Sequence, residues 1–175
     1  MAQTPPADPP LPQPDLVAAI PRLRRYARVL TGDSSRADDL VQEALARAWE
    51  KRRLWAAGSD LRAWLFTVMH NVHVNKVRAA RPADTLDEES PELAQRAAQG
   101  DSLMVRDLDR SIALLPNEQR SVLLLVALED MSYEEVARTL GIPMGTVMSR
   151  LSRAREKLRL MMLGHAAAGR LKLVK

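Results

Sequence analysis

Residues 132–158 read Ser132-Tyr-Glu-Glu-Val-Ala-Arg-Thr-Leu140-Gly-Ile-Pro-Met-Gly-Thr146-Val-Met-Ser-Arg150-Leu-Ser-Arg-Ala-Arg-Glu-Lys-Leu158. Ser132 followed three residues later by Glu135 forms a capping box, the sequence mark of a helix start. Tyr133, Val136, Ala137 and Leu140 then fall at helical spacing. Gly141 supplies the left-handed conformation that a helix stop needs, and Pro143 suits the opening of a new helix, where its missing amide hydrogen goes unpaired anyway. The stretch therefore predicts a helix, a tight turn and a second, arginine-rich helix.

In the second helix Val147, Leu151, Ala154 and Leu158 make an inward stripe, which leaves Thr146, Ser149, Arg150 and Arg153 on other faces. Hydroxyls and guanidiniums suit the DNA major groove. Arginine can bond two acceptors on guanine, and the helix amino end adds positive potential toward phosphate. An ordinary helical hairpin with a solvated basic face is the alternative reading of the same residues.

Composition narrows the fold. Of 175 residues 46% are hydrophobic, enough for real cores, yet only 3% are aromatic. Cores built from Leu, Val, Ala, Ile and Met favour helices, since β-rich folds lean on aromatic and β-branched residues. The absence of cysteine excludes disulfides, thiolate zinc sites and thiol catalysis, and fits a reducing cytoplasm. Residues 1–14 are rich in proline, have neither a basic start nor an apolar run, and are expected to form a disordered arm rather than a secretion signal. No stretch reaches the ~18 apolar residues a membrane helix requires, so no membrane insertion is expected; Val122–Leu128 reads as a buried helix.

Charge divides the chain. Asp15–Arg81 carries 13 basic and 7 acidic residues, and Ser102–Lys175 carries 12 and 8. Between them, in Pro82–Asp101, Arg96 alone opposes Asp84, Asp87, Glu88, Glu89, Glu92 and Asp101. The expected architecture is all-α: two small basic helical domains, 15–81 and 102–163, joined by a flexible acidic linker over 82–101, with a tail at 164–175. In the first domain a helix is expected near Pro21–Leu30, Pro21 marking its start or a kink, with Asp15–Ile20 a separate preceding turn or short helix. A long helix follows over Ser35–Leu54, its stripe made of Ala37, Leu40, Val41, Ala44, Leu45, Ala48 and Trp49. A third covers Asp60–Ala80, with Leu61, Trp64, Leu65, Val68 and Val72 inward. In the second domain helices near Leu103–Leu114 and Pro116–Glu129 precede the reading pair. Leu108, Ile112, Val122, Leu125, Val126, Val136 and Val147 are its expected core.

Three stretches resemble the extracytoplasmic-function (ECF) subfamily of bacterial RNA polymerase sigma factors: Asp38-Asp39-Leu40-Val41-Gln42-Glu43-Ala44 with Arg47-Ala48-Trp49, Leu61-Arg62-Ala63-Trp64-Leu65 with Asn71 and Asn75, and Leu115-Pro116 through Leu158. The resemblance runs over Ile20–Leu160 and implies a region two and a helix-turn-helix region four. It implies that Asp39, Leu40, Gln42 and Glu43 dock on the clamp helices of the beta-prime subunit of core RNA polymerase, with the beta subunit a further contact. Acids near a helix amino end also complement its dipole without any partner.

The resemblance further places Asn71 near an unstacked base of the minus-ten element, with Asn75, Lys76, Arg78 and Arg81 along the strand's phosphates. Asparagine can donate and accept at a base edge, whereas lysine and arginine attract without reading sequence. It places Thr146, Ser149, Arg150 and Arg153 on the minus-thirty-five element of promoter DNA, Ser152 nearby, and Arg155, Lys157 and Arg159 at phosphates. Met148 stands where many relatives carry a basic residue, and can offer apolar contact to a thymine methyl instead. An anti-sigma factor is the implied regulator, with no cofactor and no catalysis by this chain.

Other readings compete at particular residues. His70 and His73, three apart, can share a metal, but a stable zinc site wants three or four protein ligands. No glycine-rich phosphate loop or nucleophile–base pair is recognisable. A free-standing DNA-binding regulator or a sigma-like decoy would use the same reading helix without initiating transcription.

Overall fold

The computed structural model describes residues 11–56, 58–80 and 103–172. They form seven α-helices: α1 Gln13–Thr31, α2 Ser34–Glu50, α3 Leu61–Ala80, α4 Leu103–Ala113, α5 Asn117–Ala127, α6 Tyr133–Leu140 and α7 Met144–Lys172, with a 3₁₀ turn at Arg52–Leu54. No strand occurs among the described residues. The expected linker 82–101 and Arg81 lie outside them.

Helices α1, α2 and α3 pack as one bundle and α4–α7 as another. In α1 the buried residues Ala19, Leu23, Tyr26, Ala27 and Leu30 recur at helical spacing straight through Pro21. The turn or short helix expected over Asp15–Ile20 is therefore not separate but part of one helix, α1. Proline removes one helical hydrogen bond and crowds the preceding turn, but Pro21 is exposed while the apolar face on the other side runs unbroken. Of the residues expected in the arm over 1–14, the last four are placed: Leu11 is 2% exposed, and Gln13 and Pro14 belong to α1, while residues 1–10 lie outside the described residues. Proline in a first turn loses only an amide that has no helical acceptor.

Helix α2 opens on Asp33, whose carboxylate accepts from the Arg36 amide at 2.7 Å, and buries Ala37, Leu40, Val41, Ala44 and Ala48. The expected stripe overreached at its end. Trp49 is 51% exposed, with the Arg52 guanidinium 5.2 Å from its ring centroid. Leu54, at 73%, lies beyond the helix in the 3₁₀ turn.

In α3 the predicted stripe of Leu61, Leu65, Val68 and Val72 is buried, with Trp64 half-buried beside it. At ~100° per residue a second stripe, Phe66, Met69 and His73, runs along another side and is buried too. The Phe66 ring meets Tyr26 of α1 edge-on, centroids 5.2 Å apart. Two buried faces mean two neighbours: α3 packs on α1 and α2, and also on α6.

Helix α5 is enclosed around most of its circumference, burying Arg120, Ser121, Val122, Leu123, Leu124 and Leu125. Neighbours on more than one side account for this, since the helix lies between α1 and α7. Leu108, expected in the core, is 40% exposed on α4, where Ser111 is buried instead.

Candidate nucleic-acid interface

The capping box forms as read. Ser132 Oγ accepts from the Glu135 amide at 3.2 Å, and a Glu135 carboxylate oxygen accepts from the Ser132 amide at 2.7 Å. The Ser132 amide and hydroxyl hold the Glu135 carboxyl below its ordinary pKa. Gly141 closes α6 at φ 64°, and the Ile142 amide returns to the Ala137 carbonyl at 3.0 Å. Local hydrogen bonds thus set the angle at which α7 leaves the turn.

Burial of Val147, Leu151 and Ala154, each 2% exposed or less, fixes the rotation of α7. Ser149, Ser152, Arg153, Arg155 and Lys157 are consequently exposed, and Thr146 is half-buried. Ser149 Oγ donates back to the Thr146 carbonyl at 3.1 Å. Arg150 stands apart from this face. Its side chain is 23% exposed and its guanidinium is paired with Glu118 of α5. Arg159 forms two hydrogen bonds to Glu156, at 2.9 and 2.8 Å. Met144 and Met148, 44% and 45% exposed, flank the hydroxyl-bearing face.

On α3, Asn71, Asn75, Lys76 and Arg78 are exposed. Lys76 Nζ lies 2.9 Å from a carboxylate oxygen of Glu43, which joins a residue expected at DNA to one expected at polymerase. Asp39 and Gln42 are exposed and Glu43 is partly so. Leu40 must be corrected: it is 1% exposed, part of the α2 core, and offers no docking surface. The apolar stripe and the polar flank are separate faces of α2, and Leu40 belongs to the first.

Residues that the motifs did not single out occupy the boundary between the bundles. Arg120, 8% exposed, donates to the carbonyls of Ile112 at 3.1 Å, Ala113, and Leu115 at 2.8 Å, and across the boundary to Leu30 at 2.8 Å. The Glu129 side chain is fully buried, with Arg22 and Arg25 of α1 each 3.1 Å away. The available signal was the order Arg62, Phe66, Met69, His73, a stripe at i, i+4, i+7 and i+11. Arg62 donates to the Glu129 carbonyl at 2.9 Å.

His70 and His73 line a cleft between α3 and α5 together with Arg78, Asn117, Glu118 and Ser121. Burial, then the charge of Arg150, lowers the His70 pKa to about 4. Burial also lowers His73 to about 4, reinforced by His70, Arg120 and Lys76. Among the described residues no group of three or more His, Cys, Asp or Glu is placed to hold a metal.

Family models match both bundles: the sigma2 domain of PhyR over residues 16–70, and sigma-70 region 4 over residues 106–158. The chain is 38% identical over 146 residues to the ECF RNA polymerase sigma factor EcfG of Rhodopseudomonas palustris, covering 82% of this chain and 81% of that one. It is 36% identical over 148 residues to the ECF sigma factor SigL of Mycobacterium tuberculosis, covering 79% and 81%. Among solved structures, the sigma factor RpoE of Bartonella quintana, crystallised with the anti-sigma factor NepR, aligns at a TM-score of 0.72 and 34% identity, over 86% of this chain and 95% of that one. With these relatives matched across both bundles, the chain belongs to the ECF sigma factors of RNA polymerase.

Proposed function

We propose that this chain binds core RNA polymerase and directs promoter-specific initiation, reading the minus-thirty-five element with α7 and helping to open the minus-ten element with α3. The observation that carries the reading is the split of α7: a buried apolar stripe opposite exposed Ser149, Ser152 and Arg153, with Arg155 and Lys157 beyond. Arg153 contributes base discrimination, about 1–3 kcal/mol for a bidentate guanine contact. Arg155 and Lys157 contribute salt-dependent attraction to phosphate. On α3, Asn71 takes the base edge, with Asn75, Lys76 and Arg78 beside the strand. Asp39, Gln42 and Glu43 form the polymerase-docking flank of α2. Lys76 leaves Glu43 when either group engages its partner, a small cost for an exposed pair.

An anti-sigma factor is the proposed regulator. The likeness to RpoE extends over both bundles, and that protein was crystallised with its anti-sigma factor. Start-site mapping with core polymerase tests the whole reading, and two variants test its division of labour. Arg153→Ala weakens recognition of the upstream element, whereas Asn71→Ala impairs opening more than initial binding. Abortive-transcription and permanganate-footprint assays separate the steps; equal loss of both steps in both variants contradicts the assignment. Tight duplex binding that blocks polymerase would instead make the chain a repressor.

A further inference from the structure

The boundary between the two bundles is held by charge as well as by apolar packing. Glu129, just after α5, has no exposed side-chain surface, yet Arg22 and Arg25, its partners at 3.1 Å, are 40% and 52% exposed. Arg25 also donates to the Leu128 carbonyl at 2.6 Å, and Arg62 to the Glu129 carbonyl at 2.9 Å. Three arginines from the first bundle thus converge on one turn of the second. Removing one partner of a buried ion pair leaves the other charge desolvated and unpaired, whereas parting the two bundles returns both charges to water, so such a joint can hold the closed state and still open. The arginines already face water on one side.

Taking the minus-ten and minus-thirty-five reading as given, the closed arrangement does not reach both elements at once. Elements ~25 base pairs apart are separated by roughly 85 Å at 3.4 Å per pair. Two packed domains of this size have centres only about 25 Å apart. The twenty residues of 82–101 can span up to roughly 70 Å when extended, enough to permit separation. Closure also places Arg150, which pairs with Glu118 inside the second bundle, beside α3, where its charge is felt by His70.

We propose that Glu129, gripped by Arg22, Arg25 and Arg62, is the catch of an interdomain latch that keeps the free chain closed and restrains its binding to promoter DNA. The latch rests on the sigma reading above, and its test separates the two.

The chain has no cysteine, so Ala18→Cys in α1 and Arg138→Cys in α6, both at exposed positions, can carry a donor and acceptor dye pair. Glu129→Gln keeps the shape and removes the charge. Arg22→Ala with Arg25→Ala breaks the joint from its partly exposed side and guards against a folding defect at Glu129. Both variants are expected to lower energy transfer. Both should also bind a duplex fragment spanning a mapped start site about tenfold more tightly without polymerase, because apparent affinity scales with the open fraction. Unchanged transfer in both variants overturns the latch, as does opening with no gain in affinity. Whether core polymerase carrying the wild-type chain shifts its start sites is read separately, so loss of the sigma reading is distinguishable from loss of the latch.

Discussion

Replacing Arg120 with alanine removes a guanidinium that serves four carbonyls, those of Leu30, Ile112, Ala113 and Leu115. Three of these oxygens lie at the end of α4 and just beyond it, and Leu30 lies in the last turn of α1. Helix carboxyl ends leave carbonyls without helical partners, and here one buried side chain satisfies the ends of two helices. A hydrogen bond from a charged donor contributes about 1.5–3 kcal/mol. Four taken at face value would overshoot, because removal also relieves the desolvation of the guanidinium and lets water reach some of the oxygens. The expected net loss is about 3–4 kcal/mol, the scale of breaking a buried charged network. For a chain of this size that lowers the melting midpoint by about 10 °C. Arg120→Lys recovers less than half, since an ammonium on a flexible stem cannot reproduce the planar fork. The control is Arg24→Ala: Arg24 is 55% exposed and 3.7 Å from Asp38, and its loss stays within about 0.5 kcal/mol. Urea and thermal unfolding followed by circular dichroism give the comparison. An Arg120→Ala midpoint matching that of Arg24→Ala would refute the reasoning.

Two further outcomes follow from the geometry. His70 and His73 are held neutral in the fold, with pKa about 4 against an ordinary 6.5, so the unfolded chain takes up protons first as pH falls. Their contribution is intact above pH 6.5 and is lost progressively toward pH 4; His70→Gln with His73→Gln should flatten that part of a stability–pH curve, and an unchanged slope excludes them as its source. Gly141→Ala forces a side chain into φ 64° at a cost of about 1–2 kcal/mol. Because nothing lies within 4 Å of the added methyl, a loss well beyond that range would point to a cause other than backbone strain.

Legibility followed the range of the interactions involved. The capping box at Ser132 and Glu135, the stop at Gly141 and the stripe of Val147, Leu151 and Ala154 depend on neighbours within a few turns, and all were readable from spacing. Pro21 misled because its local rule was outweighed by a continuous apolar face on the other side of α1. Trp49 and Leu108 misled in the opposite way: their spacing fits a stripe, but among the described residues they stay 51% and 40% exposed. Leu40 was assigned to a surface because its motif implies docking, whereas its own period assigns it to the core.

What residue order alone determined was the set of helices, most of their inward faces and the split character of α7, since backbone hydrogen bonding and hydrophobic period are local quantities. The pairing of bundles was decided only in three dimensions. Arg25 and Glu129 are 104 residues apart, and Arg120 meets Leu30 across 90. Read singly along the chain these are ordinary polar residues. They become structural only when α1, α3 and α5 are brought together, because burial is what turns a charge from a solvated group into one that requires a partner.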